Sequence, residues 1–133
     1  MHLTSYSNPK AFLQHAQAYL ERNEAATALI LGNTMRLAQD PAPPSAYLAV
    51  LDSAAGIALV AMLMPPHRLV LWAEQPAAGA ALSLLAADLH THGWSVSGGL
   101  GPPQIVEPWL AEWQTLTQRE WRLTLNERIY ALT

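Results

Sequence analysis

The sequence contains no cysteine, which excludes a disulfide scaffold and a thiolate metal site. Charged residues are also scarce, since they make up 13% of the 133 residues, about half the usual share. Disordered chains combine high charge with low hydrophobicity, whereas 51% of the residues here are apolar. The composition therefore predicts a single folded domain over residues 1–133 that buries a proper core.

Positive charge is in short supply as well. Lys10 is the only lysine, and with six arginines the net charge is −3, which gives no electrostatic reason to bind nucleic acid. The longest apolar run, 54–66, is much shorter than the roughly 20 residues of a membrane helix. The N-terminus lacks the basic and then apolar pattern of a signal peptide. We therefore predict a soluble, cytoplasmic protein that binds neither nucleic acid nor a membrane.

The spacing of apolar residues predicts alternating helices and strands after a helical start. Asn8 can cap the first helix, Pro9 fits its first turn, and Asn23 can cap a second helix that runs to about Ala38. The later elements are predicted as strands at 47–51, 57–64 and 68–73, a helix from Gln75 to Gly93, a strand at 94–97, a loop at 98–103, a helix from about Glu107 to Thr117 and a long strand from Trp121 to Ala131.

This order, α-α-β-β-β-α-β-α-β, predicts an α/β fold in which helices flank a mixed sheet. The strands of the hairpin are antiparallel, whereas the strands of a β-α-β crossover are parallel. The strand at 57–64 is apolar on both faces and is predicted to be central.

The turn from Glu74 to Ala80 joins a strand to a helix, the layout that holds phosphate in many cofactor sites. Pro76 removes an amide from this turn, and Glu74 adds a negative charge. We therefore expect a plain capped helix that packs on the sheet.

The loop from Gly98 to Pro103 also runs from a strand to a helix. It lacks the Lys-Ser/Thr of a phosphate-binding P-loop, and Pro102 and Pro103 remove two amides. We predict a tight turn with positive φ at one or more of its glycines and no bound anion.

No pattern of catalytic or metal-binding residues emerges. His90 and His92 are two residues apart and share no helical face, and no serine lies in Gly-x-Ser-x-Gly. His67 could contact a ligand at a strand end, although a plain loop position is the ordinary interpretation. Glu21 and Glu24 are expected to be solvated or capping residues. We predict no catalytic, cofactor-binding or metal-binding residue in this chain.

Five tryptophans are the remaining unusual feature, and Trp109 and Trp113 share one helix face. Core packing is one interpretation. Exposed aromatic residues concentrate at interfaces, so we predict an exposed apolar patch that includes Trp109, Trp113 or the last strand near Tyr130.

The chain resembles the GNAT family of acyltransferases, and in particular the N-terminal domain of bacterial GNAT proteins with two tandem halves. The resembling segments lie in the same order and at similar spacing along nearly the whole chain: 8–12, 19–21, 24–32, 61–67, 69–71, 96–98 and 127–132. The family motif Gln/Arg-x-x-Gly-x-Gly/Ala wraps the pyrophosphate of acetyl-CoA. This chain reads Gln75-Pro-Ala-Ala-Gly79-Ala80, so its glycine comes one place late.

The resemblance implies two alternative functions. In the first, the chain is a non-catalytic GNAT-like domain that docks with or shapes an acetyltransferase, either its own C-terminal GNAT domain or, as a homodimer, a second copy. Acetyl-CoA would then be the cofactor of the parent family and not of this domain. In the second, the chain is a minimal acyltransferase that acts on a small amine through an atypical loop. The departure from the motif favours the first.

Overall fold

The computed structural model describes residues 1–76, 79–118, 121–124 and 129–132, the last two ranges by their backbone. Two helices follow a short first strand, and three strands, a helix, a strand, a helix and two strands come after them. Their bounds are β1 (His2–Tyr6), α1 (Pro9–Glu21), α2 (Glu24–Gln39), β2 (Tyr47–Ser53), β3 (Gly56–Leu63), β4 (Leu69–Trp72), α3 (Gly79–Thr91), β5 (Gly98–Leu100), α4 (Pro103–Thr117), β6 (Trp121–Thr124) and β7 (Ile129–Leu132).

The seven strands form one mixed sheet in the order β1-β2-β3-β4-β5-β7-β6. The β4–β5 pair is parallel, and the other neighbouring pairs are antiparallel. This confirms the predicted α/β class with a mixed sheet. The strand predicted to be central, β3, has neighbours on both sides.

The sheet separates two hydrophobic cores, because alternate residues of a strand point to opposite faces. Along β3, Leu59 and Ala61 face the core under α3 and α4, whereas Val60 and Met62 face the core under α1 and α2. Both sets are buried. The double burial explains why the sequences of β2 to β4 are continuously apolar.

Two helix boundaries, the start of α1 and the end of α3, agree with the predicted signals. The side chain of Asn8 accepts a hydrogen bond from the amide of Lys10 at 2.9 Å, and Pro9 is the first residue of α1. Gly93, at φ 72°, follows the end of α3, where the amide of Trp94 donates to the carbonyl of Leu89. Glycine adopts this left-handed conformation without a steric cost.

Three parts of the sheet differ from the sequence prediction. The first, β1, was not predicted, because an edge strand of five residues with only exposed and half-buried positions has no strong period-two pattern. The second is the predicted long strand from Trp121 to Ala131. Trp121 pairs with Leu132 and Thr124 with Ile129, so the chain reverses and forms two antiparallel strands. Leu125, which was part of the prediction, lies outside the described residues.

The predicted strand at 94–97 is wrong, since the strand lies at Gly98–Leu100, within the predicted loop. Glycine has low strand propensity, but α4 packs too closely here for a side chain. A Cβ on Gly99 would come within 2.8 Å of the Val106 Cγ1 atom. Gly101 has φ 149°, which confirms the prediction of positive φ in this segment.

The last helix begins at Pro103 and not near Glu107 as predicted. Pro103 fits a first turn, and the carbonyl of Pro102 accepts hydrogen bonds from the amides of Ile105 and Val106. Pro108 lies inside the helix and cannot donate the helical hydrogen bond to the carbonyl of Gln104. Both residues are exposed, so water can hydrogen-bond to that carbonyl.

One buried polar contact ties the sheet to α3. The hydroxyl of Tyr47 donates a hydrogen bond to the Asp88 Oδ2 atom at 2.7 Å, and Trp94 packs edge-on against the Tyr47 ring. Burial, together with the neighbouring Asp88 carboxylate, raises the pKa of Tyr47 far above its usual range. The folded protein therefore holds this proton more tightly than the unfolded chain does.

Replacement of Gly101 by Ala tests the close approach of α4 to the sheet. The added Cβ would lie 2.5 Å from the Leu71 carbonyl oxygen, and the positive φ adds strain. We expect a loss of about 2 kcal/mol or more in the free energy of unfolding, measured by urea denaturation.

Gly32→Ala is the matched control. Gly32 lies inside α2, and a Cβ there would meet no atom within 4 Å. Alanine should stabilise the helix by about 0.5–1 kcal/mol. Equal effects of the two substitutions would contradict the packing argument at Gly101.

The raised pKa of Tyr47 predicts that stability falls at alkaline pH. Above pH ~10 the unfolded chain loses a tyrosine proton that the folded protein retains, so unfolding becomes more favourable as the pH rises. In Tyr47→Phe we expect a shallower decline in the free energy of unfolding between about pH 9 and pH 11. Parallel curves for the two proteins, measured by urea denaturation, would refute this assignment.

Candidate functional site

A concave site, here called the α1 cleft, lies at the carboxyl end of β4 between α1 and the β2–β3 hairpin. Its volume is about 610 Å³, and its walls include His15, Tyr19, Arg22, Ile57, Glu74 and Pro76. Three of these residues share one face of α1 because they are spaced four and three residues apart. The cleft therefore includes the start of the turn that resembles a cofactor loop.

An ion pair closes the side of the α1 cleft next to β4. The guanidinium of Arg22 donates two hydrogen bonds to the carboxylate of Glu74, from Nε to Oε2 at 2.9 Å and from Nη2 to Oε1 at 2.6 Å. This bidentate geometry is the strongest that a guanidinium and a carboxylate can form. The pair leaves the charge of Arg22 neutralised by the protein itself.

Tyr19 contacts both residues of the ion pair. Its hydroxyl accepts a hydrogen bond from the amide of Glu74 at 2.8 Å, and the Arg22 guanidinium lies over its ring at 5.1 Å from the centroid. Burial raises the pKa of Tyr19, and the hydrogen bond from Glu74 opposes that shift. The hydrogen bonds that Arg22 donates to the Glu74 carboxylate raise the pKa of Arg22. The amide, carboxylate and guanidinium here all have partners within the protein.

The described part of the turn predicted to be a plain connection offers an anion little beyond the amides at the start of α3. Glu74 is paired with Arg22, and Pro76 has no amide proton. Gly79 is the first residue of α3, so its amide belongs to the first helical turn, whose amides have no partner within the helix. Ala77 and Ala78 of this turn lie outside the described residues.

A hydrogen-bonded chain of three side chains borders the α1 cleft, and it was not predicted from the sequence. The Tyr6 hydroxyl lies 2.6 Å from the His15 Nδ1 atom, and the His15 Nε2 atom lies 2.9 Å from the Asp52 Oδ2 atom. Because a carboxylate only accepts, Nε2–H donates to Asp52 and Nδ1 accepts from Tyr6. Both ring nitrogens are therefore occupied, and the chain joins β1, α1 and β2.

Separation along the sequence explains why this chain was missed. Tyr6 and His15 are nine residues apart, and His15 and Asp52 are 37 apart. Neither spacing matches a motif. The sequence contains a signal only for the helix wall of the cleft: His15, Tyr19 and Arg22 are spaced four and three residues apart and so share one face of α1.

In the second candidate loop, from Gly98 to Pro103, the amides that follow it already donate hydrogen bonds within the protein. The amides of Ile105 and Val106 already donate to the Pro102 carbonyl, and Pro102 and Pro103 contribute none. Gly101 serves the packing of α4 on β4, as described above. The positive φ of Gly101 agrees with the predicted turn, whereas the first half of the predicted loop is strand β5.

The remaining histidines and glutamates are dispersed. His90 packs edge-on against Trp113, and the His92 Nδ1 atom lies 2.8 Å from the Asp88 carbonyl oxygen. Glu21 accepts an exposed hydrogen bond from Gln17. Across the described ranges, no three His, Cys, Asp or Glu side chains are close enough to hold a metal ion.

The predicted exposure of Trp109 and Trp113 is wrong. Trp109 is fully buried and Trp113 is 3% exposed, and both belong to the core between the sheet and α4. Their rings stack at 5.3 Å between centroids, and neither indole N–H has a hydrogen-bond partner among the described residues. The sequence predicted a face too wide for one sheet contact, but α4 also packs against α3.

The side chain of Tyr130 lies outside the described residues. A partner interface that includes Tyr130 therefore stays a prediction. For Trp109 and Trp113, an interface role would lack the exposure that motivated it.

Comparison with family models, curated proteins and solved structures finds no match to this chain. Among the helices of the described residues, none combines the length and hydrophobicity that crossing a membrane would need.

The ion pair predicts how the α1 cleft responds to an added anion. Glu74→Gln removes the carboxylate and leaves the Arg22 charge unpaired beside the N-terminus of α3. We expect inorganic pyrophosphate to bind at least about threefold more tightly to this variant than to the unmodified protein, measured by NMR titration at low salt.

Glu21→Gln is the matched control, because it removes the same charge from an exposed site one residue before Arg22. Its affinity for pyrophosphate should stay near that of the unmodified protein. If both variants bind equally well, the effect reflects net charge and the proposed release of Arg22 is wrong.

Proposed function

We propose that this chain is a GNAT-like domain that does not itself transfer an acyl group and that docks with or shapes a catalytic acetyltransferase domain. The resemblance along the sequence motivates the proposal. The element order of the structure supports it: one strand and two helices precede three antiparallel strands, a parallel β-α-β crossover, a further helix and a terminal hairpin.

The observation that carries the non-catalytic part of the proposal is the Arg22–Glu74 pair. A pyrophosphate at the start of α3 would need free amides and positive charge. Here the nearest guanidinium is held by a carboxylate at 2.6 and 2.9 Å, and that carboxylate lies on the turn itself. For Arg22 to contact a pyrophosphate, the protein would have to break this pair, and the phosphate charge would then lie near the Glu74 carboxylate.

The chemistry of the α1 cleft gives the same indication. Transfer of an acetyl group to an amine needs a base that removes a proton from the amine. The imidazole of His15 is the natural candidate in this cleft, but Tyr6 and Asp52 occupy its two nitrogens. A base with no free nitrogen cannot take a proton directly from a bound amine without first giving up one of these contacts.

The proposed docking role concerns either a C-terminal GNAT domain or a second copy of the chain. It rests on the resemblance to tandem GNAT proteins. Leu84 on α3 and Leu116 on α4 are exposed at 39% and 41%, so the helix layer on that face keeps some apolar surface for a partner. Single exposed leucines are common on protein surfaces, and they do not by themselves define an interface.

Calorimetry with acetyl-CoA tests the proposal. We expect the chain of residues 1–133 to bind acetyl-CoA no more tightly than a Kd of about 1 mM, roughly −4 kcal/mol. Low-micromolar binding would contradict it and would favour the alternative, a minimal acyltransferase with an atypical loop.

A further inference from the structure

A second cavity, here called the α2 cavity, lies on the other side of the molecule from the α3 and α4 helices, between α2 and strands β3 to β5. Its volume is about 370 Å³, which is within the usual range for small-molecule sites of about 300–1,000 Å³. Its floor is apolar and consists of Met62, Met64, Val70 and Leu100. The α2 cavity shares no lining residue with the α1 cleft.

The mouth of the α2 cavity carries an exposed leucine. Leu29 is 46% exposed, although it lines a cavity whose floor residues Met62 and Val70 are almost fully buried. An apolar ligand on this floor would also cover Leu29. Removal of apolar surface from water favours such binding.

Two arginines line the same cavity. Arg36 follows Leu29 and Asn33 on one face of α2, and Arg68 precedes β4. The lining contains no carboxylate among the residues that the structure describes. The cavity therefore combines an apolar floor with a positively charged rim.

Local contacts orient one of these guanidiniums without neutralising it. Arg36 donates a hydrogen bond to the Asn33 side-chain oxygen, and the Asn33 Nδ2 atom donates to the Leu29 carbonyl at 2.8 Å. Asn33 is uncharged, so the positive charge of Arg36 remains. Arg68 is half-buried and forms no ion pair with a described carboxylate.

Arg36 and Arg68 differ from Arg22 in their ion pairing. Arg22, Arg36 and Arg68 are the arginines whose side chains the structure describes. The first is bound by Glu74 in a bidentate pair, whereas the other two converge on one cavity. A guanidinium pair prefers carboxylate or phosphate oxygens.

We propose that the α2 cavity binds a small organic carboxylate with a short apolar tail. The tail lies on Met62, Met64, Val70 and Leu100, and the carboxylate accepts hydrogen bonds from Arg36 and Arg68. The charge and the apolar floor together select this class, because a fully apolar ligand would leave the guanidiniums unpaired and a phosphate alone would leave the floor exposed. The proposal does not depend on the proposed docking function.

Hexanoate is the probe, and the methionine methyl groups are the readout. In protein labelled with ¹³C at the methionine methyl groups, we expect hexanoate to shift the signals of Met62 and Met64 in a saturable way. Met1 lines the α1 cleft and is the internal reference. Acetyl-CoA that perturbed Met1 alone would challenge the docking function while leaving this proposal unaffected.

The charge requirement is tested first on the unmodified protein. Hexylammonium has the same tail and the opposite charge, so it should bind at least about threefold more weakly than hexanoate. Equal binding of the two, or no shift of Met62 and Met64 with either, would overturn the proposal.

Variants then assign the charge to the two arginines. Arg68→Gln and Arg36→Gln should each weaken hexanoate binding by about threefold or more. Lys10→Gln removes the same charge from an exposed position on α1 outside the cavity and should leave the affinity unchanged.

Unchanged affinity in both arginine variants would overturn the proposal. So would an acidic peptide that shifts Met62 and Met64 when hexanoate does not, since that result would assign the cavity to a protein partner.

Discussion

Burial of the central strands on both faces is the constraint on which the rest of the structure depends. In β2, β3 and β4, alternate residues enter two separate cores, one beneath α1 and α2 and the other beneath α3 and α4. Neither face can accept a charged side chain without a large desolvation cost. Polar chemistry is therefore confined to strand ends, turns and helix margins, and both cavities described above lie there.

Charged residues are few in this chain, and the two sites differ in whether their arginines are paired with carboxylates. At the α1 cleft, Arg22 and Glu74 satisfy each other, and Tyr19 supports them through its hydroxyl and its ring. At the α2 cavity, Arg36 and Arg68 line a pocket that lacks a described carboxylate. The two sites therefore differ in their charge: the arginine at the α1 cleft is paired with a carboxylate of the protein, whereas the two arginines at the α2 cavity line a pocket without one.

Much of the fold could be predicted from the sequence, and the errors have physical causes. Asn8-Pro9 and Gly93 mark helix ends through local backbone chemistry, so they were readable. The strand at Gly98–Leu100 was not, because glycines are needed there only once Val106 packs against them. The burial of both Trp109 and Trp113 depends on contacts with α3 as well as the sheet, which no local pattern encodes.

The sites were less predictable than the fold. The unsuitability of the turn after β4 for phosphate could be anticipated from Glu74 and Pro76, but the partner of Glu74 could not, since Arg22 is 52 residues away. The same holds for Tyr6, His15 and Asp52, and for the meeting of Arg36 with Arg68. In each case the tertiary fold, and not a motif, brings the groups together.

The parallel pairing of β4 with β5 is short, so the two halves of the sheet are joined by few residues. Two residue pairs, Leu69 with Gly99 and Val70 with Leu100, join β4 to β5, whereas β2 and β3 pair along seven. The strands from β1 to β4 form one antiparallel group, and β5, β7 and β6 form another. Cooperative units in proteins often coincide with supersecondary motifs. We therefore expect the amide hydrogens of β5, β7 and β6 to exchange with solvent before those of β2 and β3.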